Sequence, residues 1–210
     1  MGARLQIPPE VTRALRALDE RWLALLDALG WRLRRDPASW VSWDGAGTLN
    51  VAPDEALDDD DCLAQIVVHE LCHLRVEGPD SVRAVDWGLC NLADDHLDRE
   101  YAALRVQAAL LERFGLREVL VPTTDHRWFY EALPGDPLGE VDTRADEGTR
   151  PDGSAGPDGA GPGDGAAGVD AAACARSALI ARAALASPAP AWWAALEAEL
   201  ASTREALGRG

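Results

Sequence analysis

The stretch Val67-Val68-His69-Glu70-Leu71-Cys72-His73-Leu74 constrains the fold of this chain more than any other. With Leu63 and Ile66 ahead of it, its apolar positions recur at helical spacing. Only Glu70 brings a charge, so this helix belongs inside, with other elements packed around it. His69 and His73 lie one turn apart, so both imidazoles project from one face and can bind a single ion at about 2.0 to 2.1 Å. Glu70 is rotated about 100° around the helix from His69, where a carboxylate reaches a metal-bound water and serves as general base. Cys72 points away from the histidine face and reads as packing.

Two histidines need a third protein ligand if positions are to stay open for water or substrate. The extended signature that supplies it nearby, with Gly three and His six residues later, meets Val76 and Pro79 here. The ligand must therefore come from further along, where the candidates are Asp94, Asp95, His96, Asp98 and Glu100. Glu100 is preferred, since a glutamate from a following helix commonly completes such a site. His96, one turn earlier, is the runner-up or an outer partner of a ligand, and the aspartates suit a helix start. Asp86, in the apolar setting Val85-Asp86-Trp87-Gly88, needs a partner, for which Arg83 or the free ring nitrogen of a ligand histidine would serve. His126 reads as a loop residue.

Composition narrows the chemistry. The net charge of -16 repels a phosphate backbone, so nucleic acid is not an expected partner. All 20 basic residues are Arg, which removes the P-loop lysine and the pyridoxal Schiff base. Cys62, Cys72, Cys90 and Cys174 form no C-x-x-C pair, so reduced thiols are expected. No apolar run approaches the roughly 20 residues that cross a bilayer, and the first ten residues lack an export signal. The expectation is a cytoplasmic protein with no membrane partner.

Along the chain, residues 9–29 predict one amphipathic helix closed by Gly30. Residues 40–43 and 48–52 predict a hairpin around the turn residues 44–47. The acidic run 58–61 predicts a solvated cap on the helix that follows, and residues 95–114 predict a second central helix closed by Gly115. More than half of the 19 Gly fall in residues 134–170, an acidic segment too poor in large apolar residues to offset its ordering entropy. Two Ala-rich helices follow, split near residues 187–190. The expected organisation is a metal-binding catalytic domain over 1–133, a disordered linker over 134–170 and a helical hairpin over 171–210. The fold class is α+β, mainly α.

The segment from His69 to about Leu111 resembles the elongation factor P hydroxylase family. The resemblance rests on His69, Glu70, His73, Gly78, Arg83, Asp86, Trp87, Gly88, Glu100 and Gln107-Ala108. The pattern is broken at Leu74, at residues 89–91 and at Ala103. It implies a zincin-like core, an active-site helix packed on a second helix beside a small hairpin. It also implies a non-heme iron held by His69, His73 and Glu100, and oxygen-dependent hydroxylation of a modified lysine on elongation factor P. The same ligand set would take Zn(II) in a glutamate-ligand metallopeptidase, with Glu70 activating the water. A third reading is a non-catalytic helical interaction module that uses the Trp-bearing C-terminal helices.

Overall fold

A computed structural model describes residues 7–89, 96–140 and 170–208. Asp94 and Asp95, Cys90 and residues 141–169 of the expected linker lie outside the described residues. The architecture is α+β and mainly helical, as expected. Helices α1 (Pro9–Arg16) and α2 (Asp19–Ala28) lead into strands β1 (Arg32–Arg35), β2 (Val41–Trp43) and β3 (Thr48–Val51). The central helices α3 (Leu63–Glu77) and α4 (Leu97–Phe114) follow, then the short α5 (Arg127–Ala132), α6 (Ala171–Ala186) and α7 (Ala191–Leu207).

The single helix expected over residues 9–29 is broken in two. Leu18 sits at φ -100°, ψ 4°, and its N–H bonds back only to the Leu15 carbonyl. The bend lets Leu15 on α1 and Trp22 on α2 both reach zero exposure. Arg16 fastens the end of α1 to the carbonyls of Asp58 and Asp61, and Asp19 and Glu20 give α2 a favourable negative start.

The expected hairpin forms, with Val41 opposite Val51 and Trp43 opposite Leu49. A strand that periodicity does not show joins it: β1 pairs in parallel with β3, giving the order β1-β3-β2. Arg32-Leu33-Arg34-Arg35 carries one apolar side chain, and it is held as an edge strand by main-chain pairing, which side-chain pattern does not report. Gly45, at φ +70°, lies in the hairpin turn, where a Cβ would come within 3.0 Å of the Arg83 carbonyl oxygen. Only glycine lets the hairpin press this closely on the 83–85 backbone.

Helix α3 occupies the centre, packed against α1, α2, α4 and α6. Val67, Val68, Leu71 and Cys72 have no exposure, and each of the larger aliphatics contributes roughly 1.5 to 3 kcal/mol through burial. Gly78, at φ +85°, ends the helix. The C-terminal helices share this core, since Ala181, Trp193, Leu196 and Leu200 are buried in the same cluster as Val67 and Leu71. Residues 134–140, assigned to the linker by composition, fold onto α4, where the Pro137 and Gly139 carbonyls accept hydrogen bonds from Arg105. Their polar, Gly-rich character is what gives Arg105 bare carbonyls to bond. Among the described residues Cys62, Cys72 and Cys174 are buried free thiols, and no helix is long and apolar enough to cross a membrane.

The acidic run before α3 is not uniformly solvated. Asp60 pairs with Arg127 at 3.0 Å, and Asp61 is 2% exposed. Burial, reinforced by neighbouring Asp58 and Asp60, raises the Asp61 carboxyl to about 6. A carboxyl with a raised native value favours folding below its unfolded value near 4 and loses that advantage as pH rises through about 6. The contribution of Asp61 to the unfolding free energy is therefore expected to fall between pH 4 and pH 7. Asp61→Asn should recover roughly 1 to 3 kcal/mol at pH 7.5 and little at pH 4, read by urea denaturation at both values. Equal effects at the two pH values would refute this.

Candidate metal centre

Helices α3 and α4 bring three ligand atoms to one point. His69 Nε2 lies 3.1 Å from His73 Nε2 and 3.5 Å from Glu100 Oε1. His73 Nε2 lies 3.1 Å from Glu100 Oε2. The ligand atoms of His69, His73 and Glu100 all lie within 4.8 Å of one another, so the group could hold a metal ion. One ion about 2 Å from each atom would span these separations. The spacing within α3 follows from helix geometry alone. Glu100 is delivered by the packing of α4 across α3.

The chain sets the protonation of this group. Gln107, buried in α4, donates its amide N–H to the Leu120 carbonyl at 3.0 Å. Its Oε1 is thereby turned to accept from His69 Nδ1, also at 3.0 Å. With the proton on Nδ1, His69 presents the bare lone pair of Nε2 to the centre. Burial lowers the His69 imidazole to about 4, so it is neutral at physiological pH. Burial also opposes a charge on His73, but the Glu100 carboxylate outweighs it and holds His73 above its ordinary value. Reciprocally, His73 and His69 overcome the burial of Glu100 and keep its carboxyl ionised, well below its ordinary value. Two imidazoles and one carboxylate suit a borderline divalent ion, which would displace the Nε2 proton of His73 on binding.

Glu70 stands beside this group, 8% exposed. Burial raises its carboxyl above the usual range, and Trp87 Nε1–H donates to its Oε2 at 2.7 Å. Trp87 is held by an unusual turn. Asp86 (φ 46°) and Trp87 (φ 61°) both adopt left-handed backbone conformations, a strain of order 1 to 3 kcal/mol each. Packing offsets it: the Trp87 ring stacks on Trp43 at 4.9 Å and 6°, with Trp31 against both. Asp86 Oδ1 accepts the Trp43 backbone N–H at 2.9 Å.

The expected outer residues divide. Asp86 supports the Trp87 turn and has Trp43 as its hydrogen-bond partner, in place of Arg83 or a ligand histidine. Arg83 is exposed, and its carbonyl oxygen lies against the hairpin turn at Gly45. His96 precedes α4 outside the three-ligand group and acts electrostatically on Glu77. Trp87, singled out in the sequence only through the resemblance, is the hydrogen-bond donor to Glu70.

Thr124 was missed altogether, and Gln107 was singled out only through the resemblance. Thr124 Oγ1 donates to Glu100 Oε1 at 3.1 Å and accepts the His126 backbone N–H. His126 is thereby placed near the centre, its ring 5.6 Å from that of Tyr101. For Gln107 there was a signal, a lone amide within the apolar stripe of α4 that must find partners. For Thr124 there was none, because its loop position carries no periodicity. Comparison with protein-family models, curated proteins and solved structures finds no match to this chain.

Proposed function

We propose that this chain is a metalloenzyme with a zincin-like pairing of α3 and α4, in which His69, His73 and Glu100 hold one Fe(II) ion. The reaction proposed is oxygen-dependent hydroxylation of a protein side chain, in which one oxygen atom enters a C–H bond and the other leaves as water with two electrons from an external small-molecule reductant, and the modified lysine of elongation factor P is the substrate implied by the resemblance. The observation that carries this reading is the convergence of three ligand atoms beside a buried, hydrogen-bonded Glu70. Further support comes from where the residues of the resemblance lie. Trp87 donates to Glu70, Asp86 supports the Trp87 turn, and Gln107 sets the tautomer of His69.

Bound iron would supply the redox chemistry that activates dioxygen, and two histidines with one carboxylate leave positions open for it. The chain's own groups supply the rest. His69 offers a pre-oriented lone pair, and Glu100 offsets the charge of the ion. Glu70, kept from bulk water, holds or releases a proton at Oε1 while Trp87 restrains Oε2.

A zinc metallopeptidase is the second reading, favoured by Glu70 in the general-base position. It is disfavoured at β2, a short strand whose outward N–H at Trp43 is taken by Asp86 and is not free to pair with an extended peptide. Protein purified without chelator and loaded anaerobically with Fe(II) should consume oxygen when given elongation factor P bearing the modified lysine together with a small-molecule reductant. Glu70→Gln should lower that rate about 100-fold or more with metal content unchanged. Peptide cleavage by the zinc-loaded chain, lost in Glu70→Gln, would replace the hydroxylase by the peptidase. Protein that binds metal but neither consumes oxygen nor cleaves peptides would overturn both.

A further inference from the structure

We propose that Glu77 is the positioning residue for His73, its carboxylate taking the Nδ1 proton of that ligand in a hydrogen bond once metal is bound. The inference rests on His73 being a metal ligand. The two imidazoles are not equally supported. His69 has its outer nitrogen fixed by Gln107, whereas His73 Nδ1 is buried with no hydrogen-bond partner. Metal-bound histidines nearly always donate that second N–H, most often to a carboxylate or a carbonyl.

An acceptor in the same condition lies one helical turn further along α3. The Glu77 side chain is 7% exposed and pairs through Oε2 with Arg99 of α4. Its Oε1 is buried with no hydrogen-bond partner. A buried donor without an acceptor and a buried acceptor without a donor thus share one helix face, at the spacing where side chains meet. Each is costly while unmade, and one bond between them removes both costs. A rotation of the Glu77 side chain that keeps the Arg99 pair is sufficient. Because Arg99 adjoins Glu100, Glu77 would then tie the helix of the two histidines to the helix of the third ligand.

Besides Glu100, which meets His73 at Nε2, the carboxylates of Asp86 and Glu70 also act electrostatically on His73. Each already has an oxygen committed, Asp86 to the Trp43 N–H and Glu70 to the Trp87 indole. Asp86 is the competitor the test must separate, because it too acts electrostatically on His73.

The test uses the full chain and zinc alone, with affinity measured by competition against a chelator. Glu77→Gln should weaken zinc binding 10- to 100-fold, and Glu77→Asp should recover part of the loss. Unchanged affinity in Glu77→Gln overturns the inference, and a larger loss in Asp86→Asn than in Glu77→Gln assigns the role to Asp86 and overturns it equally. Nitrogen-15 NMR of the zinc-loaded unmodified chain gives a second readout that needs no variant. The His73 Nδ1 proton should exchange slowly with solvent, and rapid exchange overturns the proposal. An unmodified chain that takes up no zinc, iron or cobalt overturns the metal reading itself, a failure distinct from normal zinc binding that is indifferent to Glu77.

Discussion

Glu100→Ala is expected to abolish stoichiometric metal binding while leaving a folded chain. Glu100 meets both imidazoles, at 3.5 Å and 3.1 Å, and it is the only carboxylate in the three-ligand group found among the described residues. Without it, two neutral nitrogens would have to hold a dication in a buried setting. Affinity should fall by a factor of about 100 or more, some 3 kcal/mol. The fold tolerates the change because His73 can release its proton. Once the carboxylate is gone, burial, the largest influence on this imidazole, is opposed by Glu70 and Glu77 but no longer by Glu100, and it favours the neutral form. The check is metal content after dialysis, with thermal unfolding measured in the presence and absence of zinc. The unmodified chain should gain about 2.7 kcal/mol at a hundredfold excess of zinc over Kd, and Glu100→Ala should gain almost nothing. One tightly held ion per chain in Glu100→Ala would end the assignment.

Arg105→Ala should be the most destabilising single change outside the centre, at roughly 3 to 5 kcal/mol. Arg105 is 1% exposed, and its guanidinium is satisfied by neutral acceptors. Nε donates to Ser177 Oγ at 2.9 Å, and Nη1 donates to the Pro137 and Gly139 carbonyls at 2.5 and 2.8 Å. Nη2 reaches the Cys174 carbonyl at 3.4 Å, and the group lies 5.4 Å from the Phe129 ring centroid. One side chain thus joins α4 to α6 and to the 134–140 turn, which precede and follow the long acidic segment. Alanine leaves a cavity and several buried acceptors without donors. Urea denaturation gives the magnitude. Hydrogen exchange gives the location, with α6 amides expected to lose protection before those of α3. A loss under 1 kcal/mol, or uniform deprotection, would show that α6 is held mainly by its apolar contacts.

Much of the centre was legible in the order of residues because helix geometry is local. His69, Glu70 and His73 lie within little more than one turn, and their placement holds wherever the helix is put. Glu100 was chosen from a short list by chemical type, and it lies where that choice requires. The errors have a common origin. The break at Leu18, strand β1 and the burial of Asp61 depend on partners distant in the chain: Arg16 on the 58–61 loop, β3 beside β1, and Arg127 opposite Asp60. Periodicity describes which face of an element is apolar. It is silent on main-chain pairing and on where a loop is pressed.

The same division runs through the chemistry. The amino-acid order alone determined that His69 and His73 share one face of an apolar helix, with Glu70 about 100° away, because the 3.6-residue repeat fixes those directions once the segment is helical. The packing of α4 on α3 decided which acid completes the set, and the Trp87 turn and Gln107 decided how Glu70 and His69 are held. These outcomes rest on contacts between segments tens of residues apart, whose geometry comes from how buried surfaces fit together rather than from any local spacing.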